Sequence, residues 1–344
     1  MRGQTLEYYC IHDLLSFSVQ GESQSWIHTS IRAEYQNFIS DVKPDLDLTI
    51  IIGDFHPDCV DCTILDNTFY VKQDYLYCED SYKRAQWKFE LTGFESGRMQ
   101  LKISGNYFSR YIIPGFLIDP LIAYKLSKSG YSLIHGSGAC NNRGAHLFTA
   151  QGGGGKTSTA LYAAERGCQF MGDNFIIVHN GKALPYLSPL NLFSFNMLPC
   201  VEENAPRQIR LDYNIKKMLF SLTGLQLVTK INPVDVGIGL SSSLSPINTI
   251  CMLVPHDEFN VSRIDLQELV QHVALNLKID FSFFTKYLMQ YSFVYPQSPL
   301  AKYWDTYEKN LMCNLQNLSD SSYMVEVPQK YDQNTFERIW ELIE

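Results

Sequence analysis

Alternating apolar and polar side chains dominate the N-terminal third of the chain. Trp87, Phe89 and Leu91 share one parity, as do Met99, Leu101 and Ile103, with Gly93, Gly97 and Gly105 punctuating them. Period-two alternation bounded by glycine predicts strands over 86–91 and 98–103, beside two further apolar runs at 46–52 and 68–72. One helical stripe interrupts them: Trp26, Ile27, Ile31, Tyr35 and Phe38 predict an amphipathic helix within 25–39. A second helix is predicted from Phe116 to Lys128, with Gly130 placed to stop it.

From Tyr131 onward the pattern changes. Short strands are predicted at 131–134, 146–150, 169–171, 175–178 and 248–254, with a helix over 156–166 closed by Gly167. Strands alternating with helices around a glycine-rich loop predict an α/β core. A helix is expected over 211–222, and the C-terminal third reads as mostly helical. There Asp265 and Glu268 form a capping box ahead of Leu266, Leu269, Val270, Val273 and Leu277, and a final helix over 335–342 is expected to bury Phe336, Ile339 and Trp340. The expected organisation is a β-rich α+β domain over 1–115, suited to substrate recognition, followed by an α/β domain over 116–344.

Composition narrows the class. With 45% apolar and 13% aromatic residues in 344, and no long segment poor in apolar side chains, the chain is neither largely disordered nor collagen-like. A net charge of −8, with no basic patch, argues against nucleic acid and anionic membranes as partners. No apolar run is long enough to span a bilayer as a helix, and Glu7 and His12-Asp13 arrive before any apolar stretch, so no secretory signal is expected. Nine scattered cysteines read as reduced thiols in a cytoplasmic protein. His56, Cys59, Cys62 and Cys78 are ligand types that zinc accepts, but a single Cys-x-x-Cys lacks the second close pair. A loop with two thiols, and a hairpin flanked by Cys62 and Cys78, is the expected arrangement.

The chemistry concentrates in Ala150-Gln-Gly-Gly-Gly-Gly-Lys156-Thr157, which follows the apolar strand Leu147-Phe148-Thr149 and opens a helix. Gly152, Gly153, Gly154 and Gly155 let backbone N–H groups turn inward around an anion, and the following helix points its positive end at the same place. Lys156 is placed to neutralise outer phosphates and the Thr157 hydroxyl to ligate Mg²⁺, with Ser158 beside them in the nucleotide-binding set. Ala150 stands where the P-loop pattern has its leading glycine. Seventeen residues beyond Lys156, Gly172-Asp173-Asn174 ends an apolar strand; a carboxylate there can hold Mg²⁺ or accept a hydroxyl proton. His135-Gly136 lies twenty-one residues before Lys156, at a predicted strand end.

Taken together, His135-Gly136, Gly155-Lys156-Thr157, Glu165-Arg166-Gly167 and Asp173-Asn174 resemble the catalytic domain of HPr kinase/phosphorylase, a relative in fold of ATP-dependent phosphoenolpyruvate carboxykinase. The resemblance covers about residues 130–190. It implies a P-loop kinase that uses ATP and Mg²⁺ to phosphorylate a hydroxyl, of a peptide serine or a small molecule. Asp173 would be the base or metal-linked carboxylate, His135 its neighbour, and Thr157, Asp173 and Asn174 the metal side. The family's second aspartate is Asn174 here, and its downstream glycine-rich Arg-Gly signature is missing. Arg207 and Arg210 are the cations offered near that position as a phosphate clamp, against an ordinary role as surface arginines ahead of the 211–222 helix. The N-terminal region does not look like that of bacterial HPr kinases, so the acceptor is expected to be something other than HPr. The family also implies a homo-oligomer. Asn174 keeps a second reading open, a nucleotide-binding regulatory or assembly module without catalysis.

Exposed aromatics such as Tyr107-Phe108 and Tyr303-Trp304 are candidates for lining a peptide groove, with core packing as the ordinary alternative. Ser241 to Pro246 reads as a polar loop.

Overall fold

Strand pairing organises both halves of the chain. A computed structural model describes residues 4–22, 24–193, 199–224, 228–318, 320–329 and 333–344. These fold into two compact units, one of 1–130 with 278–307 and one of 131–277 with 308–344.

The first unit is built on a mixed nine-stranded sheet, in the order β3-β1-β2-β4-β9-β8-β7-β6-β5. Its strands are β1 (Gln4–Ile11), β2 (Leu15–Glu22), β3 (Ile39–Ser40), β4 (Leu48–Ile52), β5 (Thr63–Leu65), β6 (Phe69–Lys72), β7 (Tyr75–Tyr82), β8 (Ala85–Thr92) and β9 (Met99–Gly105). Four of these match the expected strands to within a few residues. The β1–β2 hairpin was not expected, for two reasons. Leu6, an apolar residue of β1, is exposed, which blurs the alternation, and His12 and Asp13 take positive φ (51° and 58°) in a turn without the usual glycine or asparagine. The helix expected within 25–39 is α1 (Trp26–Glu34), continued by a 3₁₀ turn over Gln36–Phe38. The second expected helix is α2 (Asp119–Lys128), entered through a π-turn over Pro114–Ile118.

Aromatic packing ties this unit together. Tyr9 stacks on Phe17 at 4.6 Å, and Tyr35 meets Phe17 edge-on at 5.4 Å. The Tyr35 hydroxyl donates to Asp119 Oδ1 at 2.7 Å, with both residues buried. Removing that donor with Tyr35→Phe is expected to cost about 1–3 kcal/mol, because a buried acceptor loses a partner while packing is kept. Urea unfolding read by tryptophan fluorescence checks this.

The second unit holds the α/β core. Its strands are β10 (Ser132–Asn141), β11 (Gly144–Thr149), β12 (Gln169–Gly172), β13 (Phe175–His179), β14 (Lys182–Pro185), β15 (Leu190–Leu192), β16 (Thr229–Ile231), β17 (Ser245–His256), β18 (Asn260–Arg263) and β19 (Ser322–Pro328). The main sheet runs β11-β10-β13-β14-β17-β19-β18, and parallel pairing of β11 with β17 joins its first strand back to the fifth. The pair β15–β16 stands apart. Strands β18 and β19 fall in the region read as mostly helical; β19 is parallel to β17 and buries Val325 and Val327 in the core. Helix α3 (Lys156–Glu165) contributes Ala160 and Leu161 to that core. Helices α4 (Pro199–Asn204) and α5 (Arg207–Thr223) follow, so the helix expected at 211–222 begins four residues earlier, at Arg207.

Helix α6 (Leu266–Asp280) carries the chain out of this unit, and Asp265 Oδ1 caps it by accepting from Glu268 N at 3.0 Å. The return segment explains why the first unit is discontinuous. On α7 (Ser282–Val294), Tyr287 packs against Phe89 at 4.9 Å and Tyr291 against Phe94 at 4.9 Å, while their hydroxyls donate to Asp80 and Glu95. Helix α8 (Tyr303–Leu315) then leads back, and α9 (Gln333–Ile343) closes the chain with Phe336 stacked on Tyr162 of α3 at 5.3 Å. The units therefore differ from the expected division at 115/116: residues 116–130 and 278–307 fold with the N-terminal sheet. No described helix is long and apolar enough to cross a membrane.

Candidate active site

A break in one strand creates the site. Both β12 and β13 run antiparallel to β10 in nearly one register, with Gly172 opposite Gly138 and Phe175 opposite His135. Between them the ladder opens at Asp173-Asn174, facing Gly136 and Ser137. Asn174 takes a left-handed φ of 74°, which an asparagine tolerates better than most residues, and its carbonyl accepts from Gly136 N at 3.0 Å. Gly172 has φ 149°, and a Cβ there would meet Tyr186 O at 2.5 Å, so a side chain is excluded beside the break.

Asp173 is drawn inward by that geometry and is only 2% exposed. Its Oδ1 accepts from Thr157 Oγ1 at 2.7 Å and from Ser137 Oγ at 2.7 Å, while its main-chain carbonyl accepts from Ser188 Oγ at 2.8 Å. Oδ2 receives neither hydroxyl, and no described lysine or arginine pairs with the carboxylate.

The glycine loop sits between the end of β11 and the start of α3. Gly153 and Gly155 both have φ 81°, and Gly155 occupies the cap position of α3. A Cβ on Gly154 would meet Ala150 Cβ at 2.6 Å, so glycine is required there by space, whereas Gly152 and Gly153 face open surroundings. Lys156 is 7% exposed and its Nζ donates to Ala150 O at 3.2 Å, folded back on its own loop. Asn276 of α6 holds the same turn: its Nδ2 lies 2.9 Å from Ala150 O, 3.3 Å from His135 O and 3.3 Å from Thr149 Oγ1. Thr149 Oγ1 itself donates to His135 O at 2.9 Å.

The residues fit a nucleotide phosphate and Mg²⁺. Amides of a left-handed glycine turn at a helix N-terminus favour an anion, and a buried lysine beside them supplies a matching cation. One carboxylate and one hydroxyl make a sparse metal set, which suits Mg²⁺, an ion that keeps waters and phosphate oxygens as its other ligands.

Of the expected site residues, the structure gathers Gly152–Gly155, Lys156, Thr157 and Asp173. It brings His135 next to the strand break, with its ring edge-on to Phe175 at 5.8 Å. Ser158 lies in the first turn of α3 and Asn174 in the break, though no side-chain contact joins either to Asp173. Arg207 and Arg210 lie on α5 itself rather than ahead of it, and no polar contact among the described residues connects them to the site. Sequence reasoning missed Ser137, Ser188 and Asn276. Only Asn276 left a signal, an amide among Val273, Ala274 and Leu277 on the buried face of α6.

Outside the site, no described group of three or more His, Cys, Asp or Glu is arranged to hold a metal, so His56, Cys59, Cys62 and Cys78 do not come together. Cys78 is buried inside β7 opposite Phe69, not at a hairpin end. Tyr303 is core, at 1% exposure, whereas Tyr107 and Phe108 are exposed. Of the segment 241–246 expected as a loop, Ser245 and Pro246 begin β17 instead, and Ser241 is fully buried with its N–H donating to Phe170 O at 2.9 Å.

No protein-family model matches the chain, and a search of curated proteins returns no match.

Proposed function

We propose that the second unit is an ATP- and Mg²⁺-dependent kinase of the HPr-kinase-like type, transferring the γ-phosphoryl to a hydroxyl of a peptide or small molecule other than HPr. The observation that carries this reading is the convergence of Thr157 and Ser137 on one oxygen of buried Asp173, behind a strand–glycine loop–helix. Thr157 and Asp173 would hold Mg²⁺, which would supply charge neutralisation for the transferring group. The chain's own residues do the rest. Amides of Gly152–Gly155 and Lys156 bind the phosphates, and Thr157 with Ser158 opens the helix that receives them. Ser137 and Thr157 fix one Asp173 oxygen and leave the other to take the acceptor hydroxyl's proton. His135 flanks this carboxylate from the neighbouring strand. Phosphoryl transfer relies mainly on positioning and charge stabilisation, so this small set suffices chemically.

Lys156→Ala is expected to weaken ATP-Mg²⁺ binding by about 10- to 100-fold, the loss of a charge-assisted contact of ~1.5–3 kcal/mol. Isothermal titration calorimetry checks it, and unchanged affinity would remove the P-loop assignment. Asn174 favours a second reading, a nucleotide-binding module without transfer, because an amide stands where a second carboxylate would strengthen the metal side. Labelled ATP with serine-containing peptides separates the two: tight binding with no transfer supports the module. In the kinase, Asn174→Asp leaves transfer unchanged or raises it.

A further inference from the structure

The N-terminal unit carries an aromatic surface that the nucleotide site does not use. Trp26 at the start of α1 is 56% exposed, and the 3₁₀ turn over Tyr107–Tyr111 exposes Tyr107, Phe108 and Tyr111 by 42%, 40% and 65%. The rings form one cluster, with Trp26 edge-on to Tyr107 at 5.0 Å and Tyr107 edge-on to Phe108 at 5.6 Å. The Arg110 guanidinium sits among them, 3.9 Å from the Tyr107 ring centre, 4.5 Å from Tyr111 and 5.3 Å from Trp26. Among the described residues its charge has no carboxylate partner, and its buried Nε has no hydrogen-bond acceptor.

The platform is held in shape from beneath. Asn106 Oδ1 accepts from Gln86 N, Phe108 N and Ser109 N, and Asn106 Nδ2 donates to Arg84 O at 2.9 Å. Ser30 Oγ donates to Arg110 O at 2.6 Å, tying α1 to the turn. The bond to Arg84 O ties the β7–β8 turn to Asn106; Lys83 and Arg84 there are exposed and have no carboxylate partner among the described residues, with Lys83 Nζ over the Tyr82 ring at 5.1 Å. In a chain of net charge −8, the Arg110 cation thus sits among four exposed rings, with exposed Arg84 on the adjoining turn. Trp, Tyr and Arg on a rigid support are the residue types that dominate binding hot spots.

We propose that this surface docks an acidic peptide segment, with an aspartate or glutamate meeting Arg110 and Arg84 and a neighbouring apolar side chain packing on Trp26 and Tyr107. Charge complementarity selects the acid, and the rings select its apolar neighbour. A nucleic acid strand is disfavoured because its many phosphates would face the field of an acidic chain. The proposal is independent of the phosphoryl-transfer reading.

Random-peptide display on the full chain, counter-selected on Trp26→Ala/Arg110→Glu, tests it. The expected result is recovery of peptides with Asp or Glu next to Leu, Phe, Tyr or Trp. A synthetic copy, followed by fluorescence anisotropy, should bind about tenfold more weakly to Arg110→Ala and to Arg84→Glu, and more weakly at high salt. Arg84→Glu changes an exposed turn side chain and keeps the test valid if Arg110→Ala fails to fold. Recovery of no surface-dependent peptide, or of peptides lacking acids, overturns the proposal. So does an equally tight, Arg110-dependent complex with a labelled oligouridine.

Discussion

Asp173→Asn is expected to keep nucleotide affinity while the proposed phosphoryl transfer falls by about 10²–10⁴-fold, the range in which a positioned general base contributes. The reason lies in how the two oxygens differ. Oδ1 is a structural acceptor for Ser137 and Thr157, and an amide oxygen fills that role without moving either hydroxyl. The other position loses its negative charge and its capacity to take a proton. Calorimetry with ATP-Mg²⁺ and transfer of label to serine peptides measure the two halves separately. Lost affinity would make Asp173 a structural or metal-holding residue only. Retained transfer would place the base elsewhere, with His135 the next group to substitute.

A second large effect is expected on stability at low pH, and it comes from His146. This residue of β11 is fully buried, and neither ring nitrogen has a hydrogen-bond partner. Burial first, and the Arg143 charge second, lower its pKa from 6.5 to about 4. The unfolded chain therefore gains a proton as pH falls below 6.5 that the folded chain takes up only near 4. Stability contributed by the neutral ring is complete above the unfolded pKa and is lost as pH falls through the folded one, in total about 3 kcal/mol. Urea melts between neutral pH and the folded pKa should show this loss, and His146→Met should remove it. At neutral pH the same variant is expected to be as stable as wild type or more so, because two unsatisfied buried polar atoms disappear at similar volume. An unaltered pH dependence in His146→Met would sink the assignment.

The two variants probe features of unequal visibility in the sequence. Asp173 was readable as the end of an apolar strand at a fixed distance from Lys156. Its partners were not, because Ser137 and Ser188 are ordinary serines until strand register brings them to it. His146 reads as one more residue of a short apolar strand. Only enclosure by its neighbours strips it of water and of partners.

The glycine loop and its flanking elements were determined by the sequence alone. Four glycines supply the backbone freedom, Lys-Thr supplies the chemistry, and both act within a span of local hydrogen bonds such as Gly154 N to Gln151 O at 3.0 Å. The amphipathic helices and four strands of the N-terminal sheet were legible for the same reason, since period and punctuation are local. Tertiary structure alone decided what crosses the chain. The return of α7 to the first unit and the reach of Asn276 to Ala150, 126 residues away, depend on which faces pack together. So does the contrast between Tyr303 in a core and Tyr107 at a surface, for an aromatic pair looks the same in sequence whichever side of it meets water. Burial and register are properties of contacts between distant segments, and no local pattern encodes them.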